Sequence, residues 1–177
     1  MANFSDIMDA KVYVGTYKKY NEGSLAGAWL ELSDYNNVEE FFDACRELHS
    51  DEKDPEFMFQ DFENIPGDLI GESHIDGKIW DFMRIIDERG IDCEALGAYF
   101  DLGLDNGKED ADEIIDDFEE RYTGHFDSLY DFGYYWYECG VLCDIPESVI
   151  NYFDFERYGR DVSFDYSESD GYYFRNY

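Results

Sequence analysis

The chain has 177 residues, with 44 Asp and Glu against 13 Lys and Arg, a formal net charge of −31. That balance excludes nucleic acid and anionic membrane surfaces as partners and favours basic protein surfaces, held in a salt-dependent way. Apolar residues at 44% and aromatics at 19% are enough to build a core, so the chain is not a disordered acidic protein.

The charge is spread over the whole length. Residues 1–60 carry a net charge of −8, residues 61–107 of −9 and residues 108–177 of −14, and acids never run more than two together. A binding tail would concentrate its carboxylates; here they are interleaved with core residues.

In chain order, Lys11–Tyr17 and Ser24–Leu32 read as strands, with the "KKYNEG" segment as a loop between them. Asn36 or Asn37 caps a helix through Val38–Leu48, whose apolar positions are Val38, Phe41, Phe42, Cys45 and Leu48. "EFMFQDFE" gives a third strand and closes a β-β-α-β unit over residues 1–63. Asn64–Asp68, "NIPGD", is a break and candidate linker. A helical middle unit follows over 64–104: Asp76 caps a helix carrying Ile79, Trp80, Phe82, Met83 and Ile86, Gly90 ends it, and a shorter helix covers Glu94–Phe100. "DLGLDNGK" is a second linker. The last unit, 105–177, holds an acidic helix, a strand in "RYTGHF", a helix in "FDSLYDFGYYWYE" and a helix capped by Asp144, with Pro146 in its first turn, running to Gly159. "DVSFDYS" and "GYYFRNY" close it as a hairpin about "ESDG". The predicted fold class is α+β, an elongated string of three small domains ending in an antiparallel sheet.

Catalytic and metal readings fail on spacing. "DLGLDNGKEDAD" comes nearest to a calcium loop, but Gly103 stands at the third ligand position, Asn106 where glycine makes the turn, and Asp112 in place of the final Glu. Cys139 and Cys143 lie four apart and His125 is the nearest imidazole; no second ligand pair follows at zinc spacing. His74, in "ESHIDG", has no nucleophile motif to serve. The expectation is therefore no enzyme, no cofactor and no metal. The start of the chain has no charged segment followed by an apolar block, and no apolar run approaches a membrane span, so a cytoplasmic protein with reduced cysteines is expected. Tyr130, Tyr134 and Tyr137 at helical spacing point to core or a subunit contact.

The segment Lys108–Tyr122 poses the functional question. It carries eight carboxylates, yet Ala111, Ile114, Ile115, Phe118 and Tyr122 keep helical period, which a disordered tail would not. Duplex DNA presents about one negative charge per ~1.7 Å of axis, so a net charge of −31 at that density corresponds to a rod of roughly 50 Å. A folded surface with carboxylates at such spacing fits a groove built for phosphates, and copies no base-edge code.

The block "VYVGTYKKYNEGSLAGAW", Val12–Trp29, closely resembles the opening of ArdA-type antirestriction proteins, through Tyr20, Asn21, Glu22, Gly23, Leu25, Gly27, Ala28 and Trp29. "IPESVINYFDFERYGRD", Ile145–Asp161, resembles a second shared block through Pro146, Ser148, Tyr152 and Tyr158–Asp161. The resemblance implies a curved, elongated homodimer of three-domain chains, dimerised through the C-terminal domain, carried on mobile genetic elements. Such a protein mimics bent DNA and blocks type I restriction–modification enzymes at their methyltransferase core and specificity subunit. On this reading the two blocks are architectural, and Arg160 is expected to pair with a neighbouring acid. The expected partner-binding surface comprises Glu109, Asp110, Asp112, Glu113, Asp116, Asp117, Glu119 and Glu120, extended by Glu39, Glu40, Asp43, Asp87 and Glu88. The alternative is an acidic chaperone or buffer for basic proteins; a third is a halophilic enzyme whose charge is adaptation only.

Overall fold

A computed structural model describes residue 4 and residues 6–142 and 145–177. Its first sheet joins β1 (Lys11–Thr16), β2 (Ala28–Glu31) and β3 (Phe57–Glu63), antiparallel, in the order β2-β1-β3. Two helices interrupt these strands, α1 (Tyr17–Asn21) and α2 (Val38–Leu48). The expected loop at "KKYNEG" is thus in large part helical. The buried Thr16 caps α1, its hydroxyl accepting from the Lys19 amide at 3.2 Å, so the chain turns straight from strand to helix. Asn37 caps α2 by accepting from the Glu40 amide at 3.0 Å. Phe41 and Cys45 of α2 are buried in one apolar cluster with Val12, Val14 and Phe59. Burial pushes the Cys45 thiol up to about 12, leaving it protonated and inert.

The predicted break at Asn64–Asp68 is packed rather than free, since Ile65 and Pro66 are buried. A two-stranded hairpin unforeseen in the sequence follows, β4 (Ile70–Gly71) with β5 (His74–Ile75). Next come α3 (Lys78–Arg89) and α4 (Cys93–Asp101). Asp76 accepts from the Lys78 amide at 2.9 Å, and Gly90 ends α3 with φ 65°, the left-handed conformation that glycine adopts without a Cβ clash. Asp92 caps α4 through the amides of Glu94 and Ala95. Trp80 ties α3 to the chain just after β2: its indole N–H donates to Leu32 O at 3.0 Å. Phe4 stacks on Phe100 with ring centres 4.4 Å apart and meets Phe82 edge-on.

The last part contains α5 (Ala111–Arg121), β6 (Tyr122–His125), α6 (Leu129–Glu138), a 3-10 segment (Glu147–Tyr152), α7 (Phe155–Ser163), β7 (Tyr166–Ser169) and β8 (Tyr172–Arg175). The sheet order is β6-β8-β7. β7 and β8 turn over Asp170–Gly171, both with positive φ, as a tight two-residue hairpin requires. Here the sequence reading needs correction. The expected single helix up to Gly159 is two: Phe153 is extended at φ −79° and ψ 131°, and Asp154 starts α7 anew by accepting from the Arg157 amide at 3.0 Å. Pro146 is extended and precedes the 3-10 segment instead of entering its first turn. Asp161–Ser163, expected to begin a strand, complete α7. The proposed cap Asp144, and Cys143, lie outside the described residues.

α6 and α7 cross backbone to backbone. A Cβ on Gly159 would overlap the Leu129 carbonyl oxygen, and one on Gly133 would overlap that of Phe155. Gly159, inside the second shared block, thus lies within a helix and sets a helix contact. Arg160 pairs with Glu156 at 3.2 Å.

Candidate functional site

α5 has two faces. Ala111, Ile114, Ile115 and Phe118 are buried, the last three contributing roughly 1.5–3 kcal/mol each. Like-charge pairs three and four residues apart oppose this by only about 0.2–0.5 kcal/mol each, so the apolar face wins and the helix forms. Asp110 caps it through the Glu113 amide at 3.1 Å, and Arg121 occupies its last turn, both placed favourably for the helix dipole.

The carboxylates divide into three sets. On the flank facing α3, Arg89 gathers three of them: Nη1 lies 2.6 Å from Asp116 and 2.9 Å from Glu119, and Nη2 3.2 Å from Asp112. Arg84 bridges Asp112 at 3.7 Å and Glu88 at 3.0 Å. On the opposite flank Asp117 turns inward, its side chain only 18% exposed. It accepts from the Tyr99 hydroxyl at 2.6 Å and Arg121 Nε at 2.7 Å, and Lys108 stands at 3.4 Å. Burial by itself would push the Asp117 carboxyl up; the bonds from Tyr99 and Arg121 and the nearby positive charges outweigh it and hold the carboxyl below its usual range. Between these flanks Glu109, Glu113 and Glu120 are exposed, and their side chains form no ion pair among the described residues. Glu113 and Glu120 form a ridge on the outward side of α5, roughly 10 Å apart at ~1.5 Å per residue, and Glu109 stands just before the cap.

The other expected residues are dispersed. Glu39, Glu40 and Asp43 are exposed on α2; Glu40 accepts from the amide and side chain of Asn36, and Asp43 pairs with Arg46. Those bonds from Asn36 hold the Glu40 carboxyl below its usual range. Asp87 on α3 lines a groove of about 360 Å³ together with Tyr35 and Asn36, so the start of α2 and the outer side of α3 share one surface. The structure therefore joins α3 and α5 directly, and the segment leading into α2 lies beside α3 across the groove.

Sequence reasoning missed Arg84, Arg89 and the Tyr99–Asp117–Arg121 cluster. The bonds of Arg84 and Arg89 to α5 and of Tyr99 to Asp117 join separate segments and have no local signature, whereas the i, i+4 spacing of Arg84 with Glu88 and of Asp117 with Arg121 was there to be read. Replacing Arg89 by Ala is expected to lower the melting temperature at low ionic strength, with the loss shrinking as salt approaches ~1 M, where the screening length is about 3 Å. Melting curves across a salt series read this directly.

Among the described residues no group of His, Cys, Asp and Glu is arranged to hold a metal ion, and no helix is long and apolar enough to cross a membrane. Cys45, Cys93 and Cys139 are free thiols. Fold and surface together define an acidic α+β protein whose exposed chemistry is ordered carboxylate. The chain belongs to the ArdA antirestriction protein family: that family's model, described as antirestriction protein (ArdA), matches residues 12–174. Antirestriction is the function this membership implies, and the family is one of inhibitors rather than enzymes. No curated protein matches the chain.

Proposed function

We propose that the chain is a mimic of duplex DNA that enters the DNA groove of type I restriction–modification enzymes, between methyltransferase core and specificity subunit, and excludes the duplex. The observation that carries this reading is the α5 ridge: Glu113 and Glu120 exposed on a helix whose back is locked into the core, with Glu109 exposed just before its cap. Eight carboxylates from Glu109 to Glu120 lie along about 17 Å, one per ~2 Å, against ~1.7 Å for the duplex. Arg84, Arg89, Lys108 and Arg121 offset roughly half of them through Asp112, Asp116, Asp117 and Glu119, leaving Glu109, Glu113 and Glu120 without an ion pair among the described residues.

The chain acts as an elongated homodimer in the cytoplasm. Its accessible surface of 10336 Å² exceeds the roughly 9,000 Å² of a compact protein of its mass, in keeping with a slender shape. Tyr152 and Phe164, 87% and 81% exposed, lie with Tyr130 and Tyr134 on C-terminal elements and supply aromatic surface for a subunit contact.

Binding energy in such a mimic is distributed. Glu113→Gln alone is expected to change the concentration for half-displacement of DNA from a type I methyltransferase by less than about twofold, in keeping with the small worth of single exposed charges. Neutralising Glu109, Glu113, Asp116 and Glu120 together is expected to raise it more than about tenfold and to flatten its salt dependence. A single neutralisation that abolished inhibition would contradict distributed mimicry. Equal capture of an unrelated basic protein would favour the acidic-buffer reading.

A further inference from the structure

The face of the N-terminal sheet opposite α2 remains open. The strand register sets Trp29, Tyr13 and Asp61 side by side across β2, β1 and β3. Residues so opposed have side chains in contact range. The rings of Tyr13 and Trp29 meet edge-on with centres 5.6 Å apart, and the Tyr13 hydroxyl donates to Leu25 O at 2.9 Å, drawing the loop between α1 and β2 alongside. Tyr20, Leu25 and Met58 complete a groove of about 470 Å³. Leu25 is 66% exposed and Trp29 39%, so the core does not account for these large side chains. Yet Tyr20, Leu25 and Trp29 all belong to the Val12–Trp29 block, whose expected role was architectural.

The same face already holds one cation. Lys11 Nζ lies 5.1 Å from the centre of the Trp29 ring and 2.9 Å from Glu63. One row along the sheet, the Tyr13 ring and the Asp61 carboxylate repeat that combination of π-face and anion beside the Trp29 ring, and Asp61 forms no ion pair among the described residues. Arginine suits such a site better than lysine, because its planar guanidinium stacks on a ring while its edge bonds a carboxylate.

We propose that this groove takes one arginine side chain of the basic protein partner, stacked on Trp29 and Tyr13 and bonded to Asp61. The inference rests on the reading that the partner presents a positively charged DNA groove. It gives the N-terminal unit a recognition role that the α5 ridge does not fulfil.

Two measurements test it. In the full-length protein carrying 15N-labelled tryptophan, with the Trp29 indole signal assigned by its absence in Trp29→Phe, N-acetyl-arginine amide is expected to shift that signal saturably. The neutral isostere N-acetyl-citrulline amide is expected to leave it in place, and Asp61→Asn to abolish the arginine response. Equal shifts from both compounds, or none from arginine, overturn the proposal. In DNA displacement from a type I methyltransferase, Trp29→Ala and Asp61→Asn are each expected to raise the half-displacement concentration, the former about tenfold. Asp54→Asn, which removes one exposed charge elsewhere, is expected to leave it unchanged. If the wild type displaces DNA and both groove variants do so equally well, the groove proposal fails and the mimic reading stands. If the wild type displaces none, the mimic reading fails and the arginine titration alone decides the groove. Asp61→Asn alters an exposed carboxylate, so its result stands even if Trp29→Ala proves unstable.

Discussion

Gly159→Ala is expected to destabilise the protein by about 2 kcal/mol, lowering the melting temperature by roughly 4–8 °C. The cause is local and steric. The new methyl group would overlap the Leu129 carbonyl oxygen and crowd the Gly133 amide, both backbone atoms that no rotamer change can move aside. α6 and α7 must part, and the contacts of Phe155 with Tyr130, Tyr134 and Tyr137 loosen with them. Overpacking costs about 1–3 kcal/mol and sometimes more; Ala gains back as much as ~1 kcal/mol in helix propensity. At this separation the steric cost wins. Gly67→Ala is the control: nothing lies within 4 Å of its added Cβ, and it is expected to be neutral or slightly stabilising. Thermal unfolding of the two variants compares them, and a Gly159→Ala protein as stable as the wild type would refute the close crossing.

The second large effect falls on Asp117. Asp117→Asn is expected to cost about 2 kcal/mol at neutral pH, because it leaves Arg121, itself largely buried, without its carboxylate partner. The pH dependence follows from the sign of the shift. The folded-state carboxyl titrates below its unfolded value, so its contribution is complete above the ordinary carboxylate range and is lost as pH falls through the folded value. The gap between wild type and Asp117→Asn in urea unfolding should therefore be widest near neutrality and narrow toward strong acid. Relief of repulsion among the other carboxylates acts on both proteins and cancels in the difference. A gap that did not change with pH would show that Asp117 contributes through packing alone. Inhibition measured well below the melting temperature should be little changed, which separates this carboxylate from the outward ridge.

What could be read from the sequence depended on whether the signal was local. Val38–Leu48 is bounded as expected, because Asn37 and the apolar period agree. The spacing of Ile114, Ile115 and Phe118 announced α5 despite its charge, and Asp170–Gly171 announced the last hairpin. α1 was hidden because five residues are too few to show a period and its cap, Thr16, is also the last residue of a strand. The break at Phe153 was masked by apolar residues continuing on both sides, though Asp154 carried a cap signal. For the site, the identity of the carboxylates was legible and their division was not. Which acids Arg89 neutralises, and that Asp117 faces Tyr99, depend on helices brought together by the core. Likewise Trp29, Tyr13 and Asp61, far apart in the chain, become neighbours only through strand register.

Displacement of DNA tests the central claim most directly. A fluorescent duplex bound to a type I methyltransferase is titrated with the purified protein at moderate salt, and anisotropy reports the free duplex. Mimicry predicts that the duplex is released at near-stoichiometric protein, irrespective of the recognition sequence, and that release weakens steeply as salt rises. A duplex that stays bound while the enzyme is nonetheless inhibited would contradict it, because the carboxylates would then act somewhere other than in place of phosphates.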